Sequence, residues 1–591
     1  MGKKLIQLTA VLLAVCMTLP SAGAVTTNQD GQIMIRVGLA SSSSHVPTGE
    51  LEAANLENNT GYGSGYRFGY YDNGLNFVEL ARTDAGTTQV SILKTQNLSY
   101  GYDSALGKNA YSSSVVSNTL VGCYHIQVPG SFSSYEEAAS AAESRGGFVA
   151  WIDGAYQVRV GAYASRGGAE SALAGIEDGT IVGTSSYGMS VVRTGTAQVL
   201  FQYDDGESGR LAVQPDVTGA GETRTWFSGY KYRGGFQYHR RSGGNLTVTN
   251  VLPLEDYVNG VICYEMGREW PLEALKAQAL CARTYVMKNL GKHDSYGFDI
   301  CPSASCQAYH GMGKETGDGP SETSMRAVEE TAGMVIRYNG RLTDALYSSS
   351  FGGASENAKY IWGTNTETEH PYLQGVVDPY EADANNINSR SSWTVSYTAS
   401  ELTKKLQSNG LGTGTSVDHL TLTYSDKGNV IQAVVHWTNG QSNTISAGNI
   451  RSRFGVNSIR FTVNGATPNG TAPSQTSAPP DIFVNNTGKL DSLDGKYIIS
   501  GTGSVSKLDG TAYAISGTGS VSEVGSGGTV PVPPTGSGTV TVSGSSYVFS
   551  GGGWGHQVGM SQYGAYAMAK RGFKYDEILT FYFPGVQLEK Y

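Results

Sequence analysis

The spacing of apolar residues predicts strands in the first third of the chain and a long helix near its middle. Ile33–Leu39 is rich in apolar and β-branched residues and predicts a strand, and the stretch to Leu120 mixes Gly, Tyr and β-branched residues as β structure does. From Tyr124 the pattern predicts strands at 124–128, 147–152, 156–163 and 180–182 and helices at 134–145 and 166–175. Their order predicts a small β-α-β-β-α-β domain.

A helix is predicted after Trp270-Pro271, because no Gly or Pro interrupts residues 272–290. Proline suits the first helical position, since the amide it lacks has no partner within the helix. Lys276 and Arg283 lie seven residues apart on one face, which we expect to meet an anionic or sugar-rich substrate. The alternative is an ordinary amphipathic helix whose charged residues are solvated. An apolar series repeats at helical spacing and should face the core: Leu275, Ala279, Ala282 and Val286.

A change of composition separates two parts of the predicted main domain. Residues 464–546 are rich in Gly, Ser, Thr and Pro, and Ser500-Gly-Thr-Gly-Ser-Val-Ser506 returns at 516–522. Such a stretch buries little apolar surface, so it predicts an insertion or linker with a short β-hairpin at the repeat. Regular patterning resumes at Tyr547, and residues 547–591 are therefore expected to pack back on the main domain at 200–463.

Together with a β-rich N-terminal region at 25–120 and the β-α-β-β-α-β domain at 121–190, these segments predict a multidomain α+β protein. Its main domain should be mixed and β-rich, with a buried Ala-rich helix. A length of 591 residues exceeds what one core normally organises, and a charged fraction of 15% with 79 Gly and 36 Tyr favours β-rich, loop-rich structure. The net charge of −9 gives no general attraction to nucleic acid, which is not an expected partner.

The N-terminus predicts an export signal at residues 1–24. Lys3 and Lys4 precede an apolar run at 5–19, and Ala22-Gly23-Ala24 is a small-residue cleavage site. An uncleaved anchor is the alternative, although the run is short for a membrane span. No later stretch is long and apolar enough to cross a membrane. We therefore expect an exported protein without a membrane span in its mature chain.

Glu265 is the main candidate for catalysis, because it stands among the apolar residues Val261, Ile262, Met266 and Trp270. The ionised form of a carboxyl group is disfavoured in such surroundings, so the group stays protonated and can act as a general acid. Cleavage of a glycosidic bond needs such a proton donor. Hydrolases add a second carboxylate, whereas in lytic cleavage the sugar's own hydroxyl replaces water. Nearby carboxylates that could serve as a second one are Glu255, Asp256, Glu269 and Glu273.

Two cysteines and a histidine suggest a metal site. Cys301 and Cys306 follow His293 at a spacing that permits tetrahedral zinc. A disulfide between the two cysteines of an exported protein is the alternative. Removal of the signal leaves five cysteines, an odd number that excludes a complete disulfide framework.

At several motifs in fixed order the chain resembles the stage II sporulation protein D family, which includes the LytB-type amidase enhancers. The motifs are Val251-Leu-Pro-Leu-Glu-Asp-Tyr-Val-Asn-Gly-Val261, Glu265-Met266, Glu273-Ala-Leu-Lys-Ala-Gln278, Ala282-Arg-Thr-Tyr285, Gln307-Ala-Tyr-His-Gly311, Tyr347-Ser-Ser-Ser-Phe-Gly-Gly353, Trp362-Gly363, Pro371-Tyr-Leu373 and residues 553–584. The resemblance departs at two places: Gly267 stands where proline is common after Glu-Met, and Gln557 where glycine is common after Gly-His.

The resemblance implies a lytic transglycosylase that cuts peptide-stripped glycan strands while the wall around a developing spore is remodelled. The resemblance implies a location at the cell wall or the extracellular face of the membrane of a spore-forming, Gram-positive type bacterium. Glu265 falls on the family's catalytic glutamate, which would protonate the glycosidic oxygen and then take a proton from the C6 hydroxyl to give a 1,6-anhydromuramic end. A cell-wall amidase would act before it. The alternative is a non-catalytic enhancer that binds glycan and stimulates such an amidase.

The same resemblance implies sugar contacts and a structural zinc ion. Gly-rich and hydroxyl-rich segments fit a sugar cleft, because glycine lets backbone amides approach a ligand and polar side chains supply hydrogen bonds. In some relatives a histidine and two cysteines hold zinc near the cleft, which here implies His293, Cys301 and Cys306. The predicted substrate-binding residues are Lys276, Arg283, Tyr285, Ser349, Ser350, Trp554, His556 and Gln562. Residues 121–190 resemble a SPOR domain, a module that binds peptide-stripped glycan, and an unrelated α+β domain is the alternative.

Overall fold

The computed structural model of the protein describes residues 25–468 and 537–591, apart from 177, 184, 217–221, 315–316 and 413–414. Between 469 and 536 it describes the backbone of six short strands. The predicted export signal lies outside the described residues. The chain is mixed α+β and β-rich, and it forms two compact units. The first unit is Met1–Val261 with Val286–Gly319, and the second is Ile262–Tyr285 with Pro320–Tyr591.

The first unit is built mainly of strands. They are β1 (Met34–Ala40), β2 (Ala53–Asn58), β3 (Tyr66–Tyr71), β4 (Phe77–Arg82), β5 (Gln89–Lys94), β6 (Leu98–Asp103), β7 (Lys108–Ser112), β8 (Leu120–Val121), β9 (Tyr124–Phe132), β10 (Phe148–Ile152), β11 (Ala155–Tyr163), β12 (Thr180–Val182), β13 (Met189–Arg193), β14 (Val199–Asp204), β15 (Leu211–Pro215), β16 (Thr225–Phe227), β17 (Tyr230–Tyr232), β18 (Gly235–His239) and β19 (Thr247–Pro253). Its helices are α1 (Tyr135–Ser144) and α2 (Arg166–Leu173), with short 3-10 turns at Arg241–Gly243 and Asp294–Tyr296.

Two large sheets form the core of the first unit. One has the order β1-β19-β18-β15-β3-β4, and the other has the order β12-β9-β11-β10-β14-β13-β5-β2-β16-β17. Phe68 on β3 stacks on Phe201 on β14 with ring centroids 5.7 Å apart, so the two sheets pack face to face. Strands β15 and β19 pair with the N-terminal strands β3 and β1, and β18 lies between β15 and β19. Residues 200–261 therefore belong to this unit. The predicted start of the main domain at residue 200 is too early, because these pairings join segments far apart in sequence.

The predicted β-α-β-β-α-β order is confirmed. Ser134 caps α1 by accepting a hydrogen bond from the Glu137 amide, and Ser165 caps α2 in the same way through the Gly168 amide. The four strands lie in the order β12-β9-β11-β10 with every neighbouring pair antiparallel. Their assignment to a SPOR domain stays a prediction.

Two helices continue from one unit into the other: α3 (Leu254–Glu265) and α4 (Leu272–Lys288). The second unit adds α5 (Glu322–Glu330), β20 (Met334–Tyr338), β21 (Arg341–Leu342), β22 (Tyr347–Ser348), α6 (Ala358–Trp362), β23 (Trp393–Thr398), α7 (Ala399–Ser408), β24 (Val417–Tyr424), β25 (Val430–Trp437), β26 (Ser442–Ser446), α8 (Ala447–Phe454) and β27 (Phe461–Val463). Further along come β34 (Gly538–Ser543), β35 (Ser546–Gly551), β36 (Met560–Ser561), α9 (Gln562–Lys570), α10 (Tyr575–Tyr582) and β37 (Gln587–Lys590). Short 3-10 turns lie at Pro371–Leu373 and Glu381–Ala384.

The C-terminal strands of the second unit pair with strands that precede the low-complexity stretch. β35 lies between β23 and β27, and β34 pairs with β24 at the edge of the sheet β26-β25-β24-β34. Apolar residues of these sheets and of α7 and α8 form one buried cluster, which includes Leu402, Ile450 and Phe549. The prediction that the C-terminal piece packs back on the main domain is confirmed.

The low-complexity stretch contains three hairpins: β28 (Ile482–Val484) with β29 (Gly488–Leu490), β30 (Tyr497–Ile499) with β31 (Val505–Lys507), and β32 (Ala512–Ile515) with β33 (Val521–Val524). The last two residues of each copy of the repeat lie on β31 and β33, and the other residues of the copies lie outside the described residues. The predicted hairpin at the repeat is confirmed, and the predicted linker ends earlier than 546, because β34 already belongs to the four-stranded sheet. Across the described residues, no helix has both the length and the apolar character of a membrane span.

Candidate active site

Backbone pairing brings two of the predicted motifs together in the second unit. β22 runs parallel to β36, with Tyr347 opposite Met560 and Ser348 opposite Ser561. Beyond these strands, Ser350 and Trp554 exchange two backbone hydrogen bonds of 3.2 and 2.9 Å. Gly553 at φ 87° lies against this pairing, since a Cβ there would be 2.7 Å from the Phe351 carbonyl carbon. The Ser348–Gly353 motif and the C-terminal motif therefore pack directly against each other through their backbones.

Glu265 is the last residue of α3 and is half-buried. Ile262, Cys263 and Met266 around it are 0%, 9% and 4% exposed. These sequence neighbours are buried, as the predicted apolar setting requires, and the role of Glu265 as a general acid stays a prediction. Its place at a helix end was not predicted, although Leu254, Val258 and Ile262 recur at helical spacing.

Trp270 connects the turn after Glu265 with the C-terminal motif. The Trp270 amide donates to the Gly267 carbonyl at 2.8 Å, which closes the turn. A Cβ at Gly267 would lie 2.3 Å from Nε1 of Trp270, so the indole packs directly on the glycine. The indole also lies 5.0 Å from the ring of Tyr563 and 5.1 Å from that of Tyr566, both on α9. This packing explains why glycine replaces the expected proline at 267.

Helix α4 is buried on all sides over residues 277–284, each of which is 0% exposed. The prediction that the apolar series faces the core is confirmed. The helix face with Lys276 and Arg283 differs from the prediction, because Arg283 is buried in the core. Its guanidinium donates to the Met334 carbonyl at 3.0 Å. Lys276 pairs with Glu273 at 3.0 Å and with Glu330 at 2.6 Å. The small side chains of this Ala-rich helix let neighbouring elements approach from every direction, which sequence spacing alone does not reveal.

The other predicted sugar contacts differ in exposure. Ser350 is fully buried and its Oγ accepts a hydrogen bond from the Trp554 amide at 3.1 Å, so it holds the loop in place. The carbonyl of half-buried Ser349 accepts the Tyr563 amide at 3.1 Å. Trp554 is 39% exposed, and the Arg390 guanidinium lies 4.3 Å from its ring centroid.

Three further residues lie inside this arrangement. His556 is half-buried beside the ring of Trp362, and its Nδ1 accepts the Val558 amide at 3.2 Å. Gln562 is 6% exposed and donates to Oε1 of Gln278 at 3.5 Å, which ties α9 to α4. Tyr285 is half-buried on α4. Substrate contact by the eight residues predicted for it stays a prediction.

Gln557 fastens the loop of the Ser348–Gly353 motif. Its side chain is 0% exposed, and its Nε2 donates to the carbonyls of Phe351 at 2.7 Å and Ala354 at 3.1 Å. Its φ of 67° lies in the left-handed region, where glycine costs nothing. Glutamine at position 557 therefore adds two buried hydrogen bonds, but its backbone is strained where that of glycine would not be.

Replacing Gln557 by alanine is expected to lower the free energy of unfolding by about 2–4 kcal/mol, because two buried carbonyls lose their donor. Replacing it by glycine should lower it by about 1 kcal/mol less, because the positive φ is then unstrained. Urea unfolding followed by tryptophan fluorescence measures both. If the alanine and glycine variants were equally stable, the prediction that the backbone at residue 557 is strained would be wrong.

Two buried carboxyl groups lie behind the same loop. Glu381 accepts the amides of Phe351 and Gly352 at 2.8 Å each and the Ser561 hydroxyl at 2.8 Å, so one side chain joins both motifs. Asp378 accepts the hydroxyl of Tyr582 and the amides of Tyr380 and Glu381. Burial and the neighbouring Asp378 raise the pKa of Glu381 to about 7.

The raised pKa predicts a pH dependence of stability. Since the pKa of Glu381 in the fold lies above its ordinary value of 4.5, its protonated form favours the folded state. This contribution is complete below the ordinary value and is lost as pH rises through about 7. We expect the melting temperature of the wild type to fall more steeply between about pH 5 and pH 8 than that of Glu381→Gln, as scanning calorimetry would measure. The exposed control Glu589→Gln should keep the wild-type slope, and a shared slope for all three proteins would rule out Glu381 as the titrating group.

Arg460, directly before β27, belongs to the same buried network. It is 1% exposed and donates to the carbonyls of Gly352 at 2.7 Å and Lys427 at 2.6 Å. The charges of Glu381 and Glu356 partly offset the cost of burying its guanidinium. The burial of Asp378, Glu381 and Arg460 does not follow from the sequence, since isolated charged residues in loops carry no pattern that indicates burial.

The predicted metal ligands come together in the first unit. Ligand atoms of His293, Cys301 and Cys306 all lie within 4.8 Å of one another, and Nε2 of His293 is 3.3 Å from Sγ of Cys306. The cysteines among the described residues are free thiols, so the predicted disulfide alternative is not formed. A hydrogen bond from Cys306, with further help from Ser303 and His293, lowers the pKa of Cys301 to about 5. A thiolate beside an imidazole is a fitting donor set for zinc.

Known proteins resemble this chain over the region just described. The sequence profile of the stage II sporulation protein family, SpoIID, matches residues 242–338. The "Amidase enhancer" of Bacillus subtilis (strain 168) is 30% identical over 340 residues, which are 56% of this chain and 40% of that protein. "Stage II sporulation protein D" of the same organism is 26% identical over 356 residues, which are 58% of this chain and 77% of that protein. The protein of the same name from Bacillus amyloliquefaciens is 33% identical over 147 residues, 23% of this chain and 41% of that protein.

The matched residues 242–338 include α3, α4 and Glu265. Over this region the chain is similar to the stage II sporulation protein family. The chain spans less than half the length of the amidase enhancer it matches.

Proposed function

We propose that this protein is an exported lytic transglycosylase that cuts peptide-stripped glycan strands of the bacterial wall during sporulation. The observation that carries the proposal is Glu265, a half-buried carboxyl group at a helix end among buried apolar side chains. Similarity to the stage II sporulation protein family supports the substrate class. A spore-forming, Gram-positive type bacterium is the proposed source.

In this mechanism Glu265 protonates the oxygen that leaves C1 of muramic acid as the glycosidic bond breaks. The resulting carboxylate then takes the proton of the C6 hydroxyl, whose oxygen bonds to C1 and closes the 1,6-anhydro ring. No water is consumed, so no second carboxylate is needed. Nearby acids support this view, because Glu273 is paired with Lys276 and accepts the Tyr575 amide, while Glu269 is exposed and accepts the Thr323 hydroxyl.

Other parts of the chain fit glycan as a partner. Trp554 offers an exposed indole beside Arg390, and His556 and Gln562 stand on the same C-terminal motif. The antiparallel order β12-β9-β11-β10 supports a SPOR-like glycan-binding module. A cell-wall amidase is the proposed upstream partner, since it would produce peptide-stripped strands.

The second candidate is a non-catalytic enhancer of such an amidase, favoured by the relative named "Amidase enhancer". One experiment separates the two. The purified mature protein is incubated with amidase-stripped glycan strands, and products with 1,6-anhydromuramic ends are sought by mass spectrometry. In parallel, the protein is added to an amidase acting on intact wall. Anhydro products support the lytic enzyme, whereas stimulation of the amidase without such products supports the enhancer and overturns the first proposal.

We further propose that His293, Cys301 and Cys306 hold a structural zinc ion. A zinc ion about 2.3 Å from sulfur and 2.1 Å from nitrogen requires ligand atoms about 3.6 Å apart, which is close to the contact between His293 and Cys306. The ion would tie the loop at 293–306 together.

Removal of zinc is therefore expected to lower the melting temperature by several degrees and to release about one zinc ion per chain, measured by calorimetry and elemental mass spectrometry. Cys306→Ser should lose the metal, and the control Cys123→Ser, at a free thiol elsewhere, should retain it. Equal metal content in both variants would contradict the assignment.

A further inference from the structure

A cavity of about 470 Å³ lies in the second unit where α6 approaches α8. Gly448 makes this approach possible, because a Cβ there would be 2.4 Å from the Ile361 carbonyl oxygen. Ala447, Val456 and Ile459 line the cavity and are at most 5% exposed. The volume falls within the range of sites that bind small molecules.

Two aromatic rings form one wall of this cavity. Trp362 ends α6, lines the cavity and is 50% exposed. Its ring centroid is 5.2 Å from that of His556, at an interplanar angle of 58°. Burial, with a smaller effect of the Arg451 charge, lowers the pKa of His556 to about 4, so the imidazole is neutral at physiological pH. The wall therefore combines an open apolar face with an uncharged ring.

Arg451 supplies the charge of the cavity. Its Nε donates to the Asn457 carbonyl at 2.9 Å, which fixes the guanidinium plane. Its two terminal nitrogens make no hydrogen bond, and no carboxylate lies at ion-pair distance, among the residues that the structure describes. A half-buried guanidinium without a counter-ion is a ready partner for an anion, and its fork matches a carboxylate in two-point contact.

We infer that this cavity binds a muramic acid unit through its free lactyl carboxylate, which Arg451 recognises while Trp362 packs against the sugar ring. The inference rests on the proposed function. It adds a site that distinguishes glycan without stem peptides from glycan that carries them. When a stem peptide is attached, the lactyl group is an uncharged amide and carries extra bulk, so the contact with Arg451 is lost. His556 belongs to both the C-terminal motif and this cavity, which joins the site to the predicted sugar contacts.

Binding of small sugars tests the inference without any need for turnover. N-acetylmuramic acid and N-acetylglucosamine share a ring and differ in the lactyl group, and glycerol phosphate supplies an anion of a different wall polymer. By calorimetry or saturation-transfer NMR, we expect the wild type to prefer N-acetylmuramic acid over N-acetylglucosamine by about tenfold or more. Arg451→Gln should remove this preference, and Trp362→Ala should weaken both sugars alike.

A matched control lies two residues along the same helix. Arg453 donates to the Asn409 carbonyl and does not line the cavity, so Arg453→Gln should keep the preference. Arg451→Lys retains the charge without the fork and should show an intermediate preference if Arg451→Gln fails to fold. Equal affinities of both sugars for the wild type, an unchanged preference in Arg451→Gln, or tighter binding of glycerol phosphate would each overturn the inference. If the protein yields anhydro products but does not prefer N-acetylmuramic acid, only the inference about this cavity is overturned. If it shows the preference but yields no anhydro products, only the proposed function is overturned.

Discussion

Glu265→Gln is expected to reduce the rate of 1,6-anhydro product formation by about 10²–10⁴-fold, because glutamine can neither donate the proton nor take it back. The side chain keeps its size at a half-buried position, so folding and glycan binding should change little. Product formation is measured by mass spectrometry of amidase-stripped strands over time, and binding by co-sedimentation with the same strands.

The matched control for this prediction is Glu269→Gln. Glu269 stands four residues further along, with a side chain that is 65% exposed. Its replacement should leave the rate within about twofold of the wild type, since an exposed carboxylate there has no part in the proton transfer. A rate for Glu265→Gln close to that of Glu269→Gln would contradict the role of Glu265.

Arg460→Met is expected to lower the free energy of unfolding by about 3–5 kcal/mol, the range found when one partner of a buried ionic network is removed. Methionine leaves the carbonyls of Gly352 and Lys427 without their donor and removes the positive charge beside Glu381. Because Gly352 belongs to the Ser348–Gly353 motif, we also expect its loop to lose protection. Urea unfolding measures the stability, and hydrogen exchange of the Phe351 and Gly352 amides measures the local effect.

An exposed arginine in the same unit is the control for Arg460. Arg571 pairs with Asp383 at the surface, with side chains that are 35% and 43% exposed. Exposed ion pairs contribute at most about 1 kcal/mol, so Arg571→Met should be nearly as stable as the wild type. Similar losses in the two variants would show that the buried network around Arg460 adds no particular stability.

The local elements were predictable where the pattern is strong. The β-α-β-β-α-β segment and α4 follow the expected positions within a few residues, because periodic apolar spacing and Ser or Pro at helix starts act over short distances. Residue type and spacing predict Glu265, Cys301 and Cys306 as candidates, and their functions stay predictions. Helix α3 was not predicted. It contains Gly260, where a larger residue would not fit, because a Cβ there would lie 2.6 Å from the Tyr309 ring.

The sequence by itself determined the local elements and predicted Glu265 and the set of His293, Cys301 and Cys306 as candidate functional residues, because these depend on neighbours within a few residues. The tertiary structure alone decided which strands pair, that Arg283 is buried, and that Gln557, Glu381 and Arg460 hold one loop. It also decided that Trp362, His556 and Arg451 line one cavity. Gln557 lies 206 positions from Phe351, Arg460 108 positions from Gly352, and Glu381 29 positions from Gly352. Contacts at such separations are set by the packing of whole sheets and helices, which no local pattern encodes.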